Sequence, residues 1–193
     1  MHWIVVARYT EDTTWLDQLR DLPETTILVL NKGGDGEGVQ LENVGREAHS
    51  FAFFCAEWYD KLHDDDIVTF LQGCPFDHCP DAITKISDPE FTGPLGKNLV
   101  CDSYGWPHHP GLNVQNAWQR LCQIFNLDAA SGRSIFSFCA GAQCQISAKR
   151  ILQYDQSCWE NLVLVLGREY AFDVHDHDGI DPWQMERFWH ALF

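Results

Sequence analysis

Apolar residues in this chain gather in short unbroken runs, separated by segments of helical period. Trp3-Ile4-Val5-Val6-Ala7 is β-rich and passes directly into the polar crest Arg8-Tyr9-Thr10-Glu11-Asp12, the pattern of a buried strand with a hydrophilic carboxyl end. Asp12, Thr13 and Thr14 offer side-chain oxygens to a first helical turn, so a helix is predicted over 14–19, ending before Pro23. Thr26-Ile27-Leu28-Val29-Leu30 is the second strand, and strand, helix and strand in close succession predict a βαβ unit and a parallel sheet. After Asn43-Val44-Gly45-Arg46-Glu47 comes the clearest helix, with Ala48, Phe51, Ala52, Cys55, Trp58, Tyr59 and Leu62 at three- and four-residue steps. Ile67-Val68-Thr69-Phe70-Leu71 is then the third strand.

The stretch 72–111 carries little periodicity and is rich in Pro, Gly, Asp, His and Cys, which marks a functional loop region rather than a linker. A helix is expected over 114–125. Strand pieces follow at 135–139 and 143–146, around the small-residue break Ala140-Gly141-Ala142. Ser147 is placed to cap a helix through Ile151, a further helix covers about 157–166, and 182–193 reads as one amphipathic helix opened by Pro182. The fold class is therefore α/β: a single domain over 1–193 built on an open, mostly parallel sheet with helices on both faces.

Charge narrows the partners. The 193 residues carry 13 Lys+Arg against 28 Asp+Glu, a formal net charge of −15. That field repels phosphate backbones and anionic lipid over a Debye length of roughly 8 Å, which disfavours nucleic acid and membrane surfaces as partners. An anionic small molecule would need a local basic pocket or a divalent cation. No stretch is apolar for long enough to span a membrane, and HWIVVARY is too short for a secretory core. Of the eight cysteines, Cys55, Cys122 and Cys158 fall in helix-like and Cys139 and Cys144 in strand-like stretches; with no CxxC present, the eight read as reduced, mostly buried thiols of a cytoplasmic protein.

In open α/β sheets, ligands bind beyond the carboxyl ends of the strands. Arg8, Tyr9 and Glu11 follow the first strand, Asn31 and Lys32 the second, and Gln72 to His78 the third, so these clusters are expected to converge on one crevice. Asp64-Asp65-Asp66 lies at the opposite end and reads as a solvated turn. The loop Lys32-Gly33-Gly34-Asp35-Gly36-Glu37-Gly38 has the glycines of a phosphate cradle, but Asp35 and Glu37 oppose one, and it reads as a surface turn. Arg46 at a helix N-terminus is electrostatically misplaced, and either holds an anion or pairs with a nearby acid; Glu47 suits that position. His175-Asp176-His177-Asp178 is the densest set of metal donors, with Asp77, His78, His108 and His109 as further ligands; the competing reading is a hydrated, metal-free loop. A GxSxG elbow is lacking.

The blocks VVARYTED with Trp15-Leu16, Leu30-Asn31-Lys32-Gly33, NVGREAH, FLQG with PFDH, Gly141-Ala142-Gln143 and MERFW together resemble an uncharacterised family of microbial and fungal proteins. Its layout in turn is similar to nucleotide-sugar glycosyltransferases of the GT-A type, a Rossmann-related fold. The resemblance implies that Ala7, Arg8, Tyr9 and Glu11 meet the nucleotide and that Lys32 and Arg46 meet the diphosphate, with Asn31, Glu47 and Gln72 also binding substrate. Gln72 to Asp77 would stand where the family's metal-binding DxD motif stands, and Glu186 would be the base that deprotonates an acceptor hydroxyl. This chain has a single acid, Asp77, in that loop. A manganese or magnesium ion would then be held by Asp77 or His78 with Asp176 or His177, unless Arg and Lys stabilise the leaving diphosphate instead. The expected partners are a nucleotide-sugar and a carbohydrate acceptor. The competing readings are a metal-dependent hydrolase built on the His/Asp cluster and a non-catalytic carbohydrate-binding domain that uses the many Trp residues.

Overall fold

A computed structural model describes residues 1–88, 90–128, 135–167 and 180–193. Strands β1 (His2–Arg8), β2 (Thr25–Asn31), β3 (Val39–Gln40) and β4 (Ile67–Gln72) run parallel, with β1 between β2 and β4. Beyond β4 lie β8 (Cys144–Ser147) and β5 (Gly93–Pro94), each antiparallel to its neighbour, which completes the six-stranded order β3-β2-β1-β4-β8-β5. A separate antiparallel pair joins β6 (Asn98–Asp102) to β7 (Ile135–Cys139). The chain is thus α/β, with a mostly parallel mixed sheet.

The unbroken apolar runs exist because both faces of the sheet are covered. Alternation along β1 sends Trp3 and Val5 into one core, and Ile4 and Val6 into the other. The larger core holds α1 (Arg46–Glu57), α3 (Val114–Ile124), α5 (Gln156–Leu166), α6 (Pro182–Glu186) and α7 (Trp189–Leu192). Phe51, Phe54, Phe70, Trp189 and Phe193 pack ring against ring at its centre, with Phe193 stacked on Phe70 and Trp189. The smaller core packs the 3₁₀ helix Thr14–Leu19 and α2 (Ala82–Ile86) on the opposite face.

Several elements differ from expectation. The helix predicted over 14–19 is 3₁₀ and lacks a side-chain cap; Asp12 Oδ1 instead accepts from Thr14 N at 2.9 Å. The long helix breaks at Trp58 into a 3₁₀ turn over Tyr59–Lys61. The stretch 72–111 is not a bare loop: it carries α2, β5 and β6. The short α4 (Lys149–Leu152) is preceded by Ala148, and Ser147 Oγ reaches Lys149 N at 3.3 Å without being the cap residue. The closing helix is two, α6 and α7, separated at Arg187 and Phe188. Asp66 is not solvated: it is 5% exposed and its Oδ2 accepts from Trp3 Nε1 and His63 N, each at 3.1 Å.

Two loops meet at the sheet's carboxyl end by way of Gly33, where an added Cβ would lie 1.7 Å from the Tyr9 carbonyl oxygen. Backbone cannot yield there as a flexible side chain would, so Gly33→Ala is expected to lower stability by about 1–3 kcal/mol, read by urea unfolding.

Candidate functional site

A cavity of about 530 Å³ opens beyond the carboxyl ends of β1 and β4, a volume typical of small-molecule sites. The end of β1 supplies Ala7, Arg8, Tyr9 and Glu11, and the end of β2 supplies Lys32. Asn43, Arg46, Glu47 and Ser50 come from the entry and first turns of α1, and Gln72, Cys74 and Asp77 from the end of β4. The chain leaves β1 for β2 on one side and later returns to β4 on the other, so the cavity sits where the strand order reverses, the topological switch point of such sheets.

Arg8, Tyr9, Glu11, Lys32, Arg46, Glu47, Gln72 and Asp77 thus share one cavity, whereas Asn31, His78 and Glu186 are not among its lining residues. Asn31 is fully buried and shapes the glycine loop: its Nδ2 donates to Asp35 Oδ1 at 2.5 Å and to the Glu37 carbonyl at 2.8 Å, and its Oδ1 accepts from Gly33 N at 2.8 Å. Asp176 and His177, with the rest of the 175–178 cluster, lie outside the described residues.

The three cations have different duties. Arg8 Nε donates to the Glu11 carbonyl at 2.9 Å, and its Nη1 lies 2.6 Å from Asp35 Oδ2. This ion pair, with Asn31, holds the Asp35 carboxyl below its ordinary range. Glu37 stands 3.6 Å from Nη2, so the acids of the glycine loop face this arginine. Lys32 is buried and its Nζ donates to the carbonyls of Val44 and Arg46; burial pushes its pKa down to about 8, against the pull of Glu47. These bonds hold the entry to α1, where Gly45 (φ +60°) and Arg46 (φ +49°) both adopt left-handed backbone. Such a conformation is strained for arginine and persists only where the surroundings enforce it. The Arg46 side chain remains 57% exposed, with Nε 3.5 Å from Glu47 Oε2 and the guanidinium carbon 5.2 Å from the centre of the Trp183 ring. Of the three, Arg46 keeps its charge most accessible to a ligand.

Among the acids, Glu11 Oε2 accepts from Tyr9 N at 2.6 Å and Thr10 N at 3.1 Å and so shapes the crest after β1. Burial raises the pKa of Glu47; its own backbone N–H and Arg46 counteract this, and the charge of Glu186 adds to it. Asp77 is exposed at the end of the 3₁₀ turn Pro75–Asp77. Beside Glu47, Ser50 is fully buried, and its Oγ has no partner among the described residues although the residue lines the cavity. An unanswered polar atom of this kind is what a bound ligand would satisfy.

Glu186 is built into a second cluster. Its Oε1 accepts from Gly141 N at 2.8 Å, and its Oε2 pairs with Arg187 Nη1. Arg187 is buried, its guanidinium carbon 3.9 Å from the centre of the Phe138 ring and its Nη2 bonded to His109 Nδ1. His109 in turn stacks on Trp183 at 6.3 Å. Asp181 and Gln184 form a capping box at the start of α6, and Gln184 Nε2 donates to the Asn113 carbonyl at 2.8 Å, which fixes this cluster to the loop before α3.

Sequence reasoning overlooked Ser50, Arg187 and Trp183. The signal for Arg187 was the adjacent charge pair Glu186-Arg187 set between Met185 and Phe188-Trp189, since a charge on a buried stretch is rarely without a partner. Cys74 is another departure: it is an exposed thiol at the cavity, not a core residue. The remaining thiols are free, and all but the half-buried Cys158 are buried.

His49, one turn into α1, is 8% exposed, and burial followed by the charge of Lys32 pushes its pKa down to about 4. The fold therefore favours the neutral ring. Its stabilisation is complete above the unfolded value near 6.5, is lost as pH falls from there toward about 4, and levels off below. At 1.36 kcal/mol per unit the loss is at most about 3 kcal/mol. Unfolding of wild type and His49→Phe at pH 7 and pH 4.5 is expected to show the larger acid loss in the wild type.

Among the described residues no group of three or more His, Cys, Asp and Glu side chains is placed to hold a metal ion, and no helix is long and apolar enough to cross a membrane. Compared with family models, curated proteins and solved structures, the chain matches none.

Proposed function

We propose that the cavity binds the diphosphate of a nucleotide-sugar and that the protein is a GT-A-like glycosyltransferase acting on a hydroxyl-bearing carbohydrate acceptor. The observation that carries this reading is the cavity's position at the β1/β4 switch point, with Arg46 held at its wall in strained backbone. Anionic ligands collect at such points because cations and backbone N–H groups converge there. Arg46 offers a planar donor fork suited to phosphate oxygens, free of competition from a strong ion pair. Lys32 acts indirectly, by fixing the carbonyls that set the Arg46 backbone.

Departure of the sugar leaves charge on the diphosphate, and a preorganised cation beside it lowers the barrier. A divalent cation would be held by Asp77 or His78 with Asp176 or His177 and would supply the same charge neutralisation. Of the described candidates Asp77 lines the cavity and His78 does not, and the phosphate contact proposed from the described cations is that of Arg46. The test is calorimetric titration with a panel of nucleoside diphosphates, with and without manganese. Saturable binding is expected for at least one; a folded protein that binds none under either condition refutes the reading.

A further inference from the structure

We infer that Glu47, rather than Glu186, is the carboxylate that receives the proton of the acceptor hydroxyl, and that Arg187 is a positioning residue that holds Glu186 against Gly141. The inference rests on the transferase reading and deepens it. A general base must reach the proton it abstracts. Glu47 lines the cavity beside Arg46 and the unanswered Ser50 hydroxyl, and its carboxylate is met by its own backbone N–H and, at 3.5 Å, by Arg46 Nε. Glu186 does not line the cavity, and each of its oxygens is occupied, one by Gly141 N at 2.8 Å and the other by the buried Arg187.

The charged groups facing Glu47 are Arg46 on its own helix, Lys32 after β2 and Glu186 on α6. Burial and the Glu186 charge raise the proton affinity of the Glu47 carboxylate, with its own backbone N–H and Arg46 opposing them. In the step itself, the acceptor oxygen bonds to the anomeric carbon and its proton passes to a Glu47 oxygen. The bond from that carbon to the diphosphate oxygen breaks, and its electron pair leaves on the diphosphate, beside Arg46.

The experiment uses the full chain with ¹³C-labelled glutamate carboxyls, titrated from pH 4 to 8, and the same chain titrated calorimetrically with a nucleoside diphosphate in two buffers of different ionisation enthalpy. One carboxyl resonance, absent in Glu47→Gln, is expected to titrate above the ordinary glutamate value of about 4.3 and to move down in Glu186→Gln. Diphosphate binding is expected to take up protons in the wild type and to lose that uptake in Glu47→Gln. A Glu47 resonance in the ordinary range, unchanged proton uptake in Glu47→Gln, or an affinity loss there as large as that of Arg46→Ala overturns the inference. Absence of diphosphate binding in the wild type refutes the transferase reading instead, and the acceptor role with it, so the two failures are told apart.

Discussion

Arg187→Ala is expected to lower the free energy of unfolding by about 3–5 kcal/mol, the range for breaking a buried ion pair from one side. The guanidinium is buried, pairs with Glu186, bonds His109 and lies over Phe138. Its removal strands a carboxylate that is only 12% exposed and opens a void against the ring. Arg187→Met keeps much of the volume and should lose less. Arg187→Met combined with Glu186→Gln removes both charges and should lose least, because no unpaired ion then remains. Urea unfolding followed by tryptophan fluorescence ranks the three. A loss below about 1 kcal/mol for Arg187→Ala, the scale of an exposed pair, would mean that this cluster does not hold α6 in place.

The reach of the sequence follows from which forces act locally. Strands β1, β2 and β4 were legible because burial on both faces leaves unbroken runs such as Trp3 to Ala7, and turn residues bound each run. The crevice was legible for the same reason: once three parallel strands are known, their carboxyl ends must lie together, and Arg8, Glu11, Lys32, Gln72 and Asp77 follow from position alone. What stayed hidden depends on partners distant in sequence. Strand β6 is short, and its ladder to β7 is made with residues far along the chain. Strand β5 is two residues long and is specified by β8. The occupation of Glu186 by Gly141 and Arg187, and of Lys32 by the carbonyls of 44 and 46, is set by packing between elements, and no spacing rule reports it.

Arg46→Ala is expected to weaken nucleoside diphosphate binding by about 10- to 100-fold, since a hydrogen bond to a charged group contributes roughly 1.5–3 kcal/mol and 1.4 kcal/mol is tenfold. Its free-state partners are weak: Glu47 at 3.5 Å and the Trp183 ring at 5.2 Å. Little is therefore lost when the guanidinium turns to a phosphate. Relief of the left-handed strain at position 46 requires glycine, not alanine, so Arg46→Gly should match the affinity loss of Arg46→Ala while retaining more stability. Lys149 is exposed at the start of α4, which follows β8 at the opposite end of the sheet, and Lys149→Ala should leave affinity unchanged. Equal losses in the Arg46 and Lys149 variants would reduce the effect to general charge, which a net −15 protein would show for any lost cation.

In the proposed function a nucleotide diphosphate occupies the cavity between the ends of β1 and β4. Hydrogen–deuterium exchange of the wild-type chain, with and without a saturating nucleoside diphosphate, tests it most directly. Slowed exchange is expected at 8–11, 43–50 and 72–77, three of the segments that line the cavity, with little change around α4. Binding that protects other segments and leaves these three unchanged would contradict it.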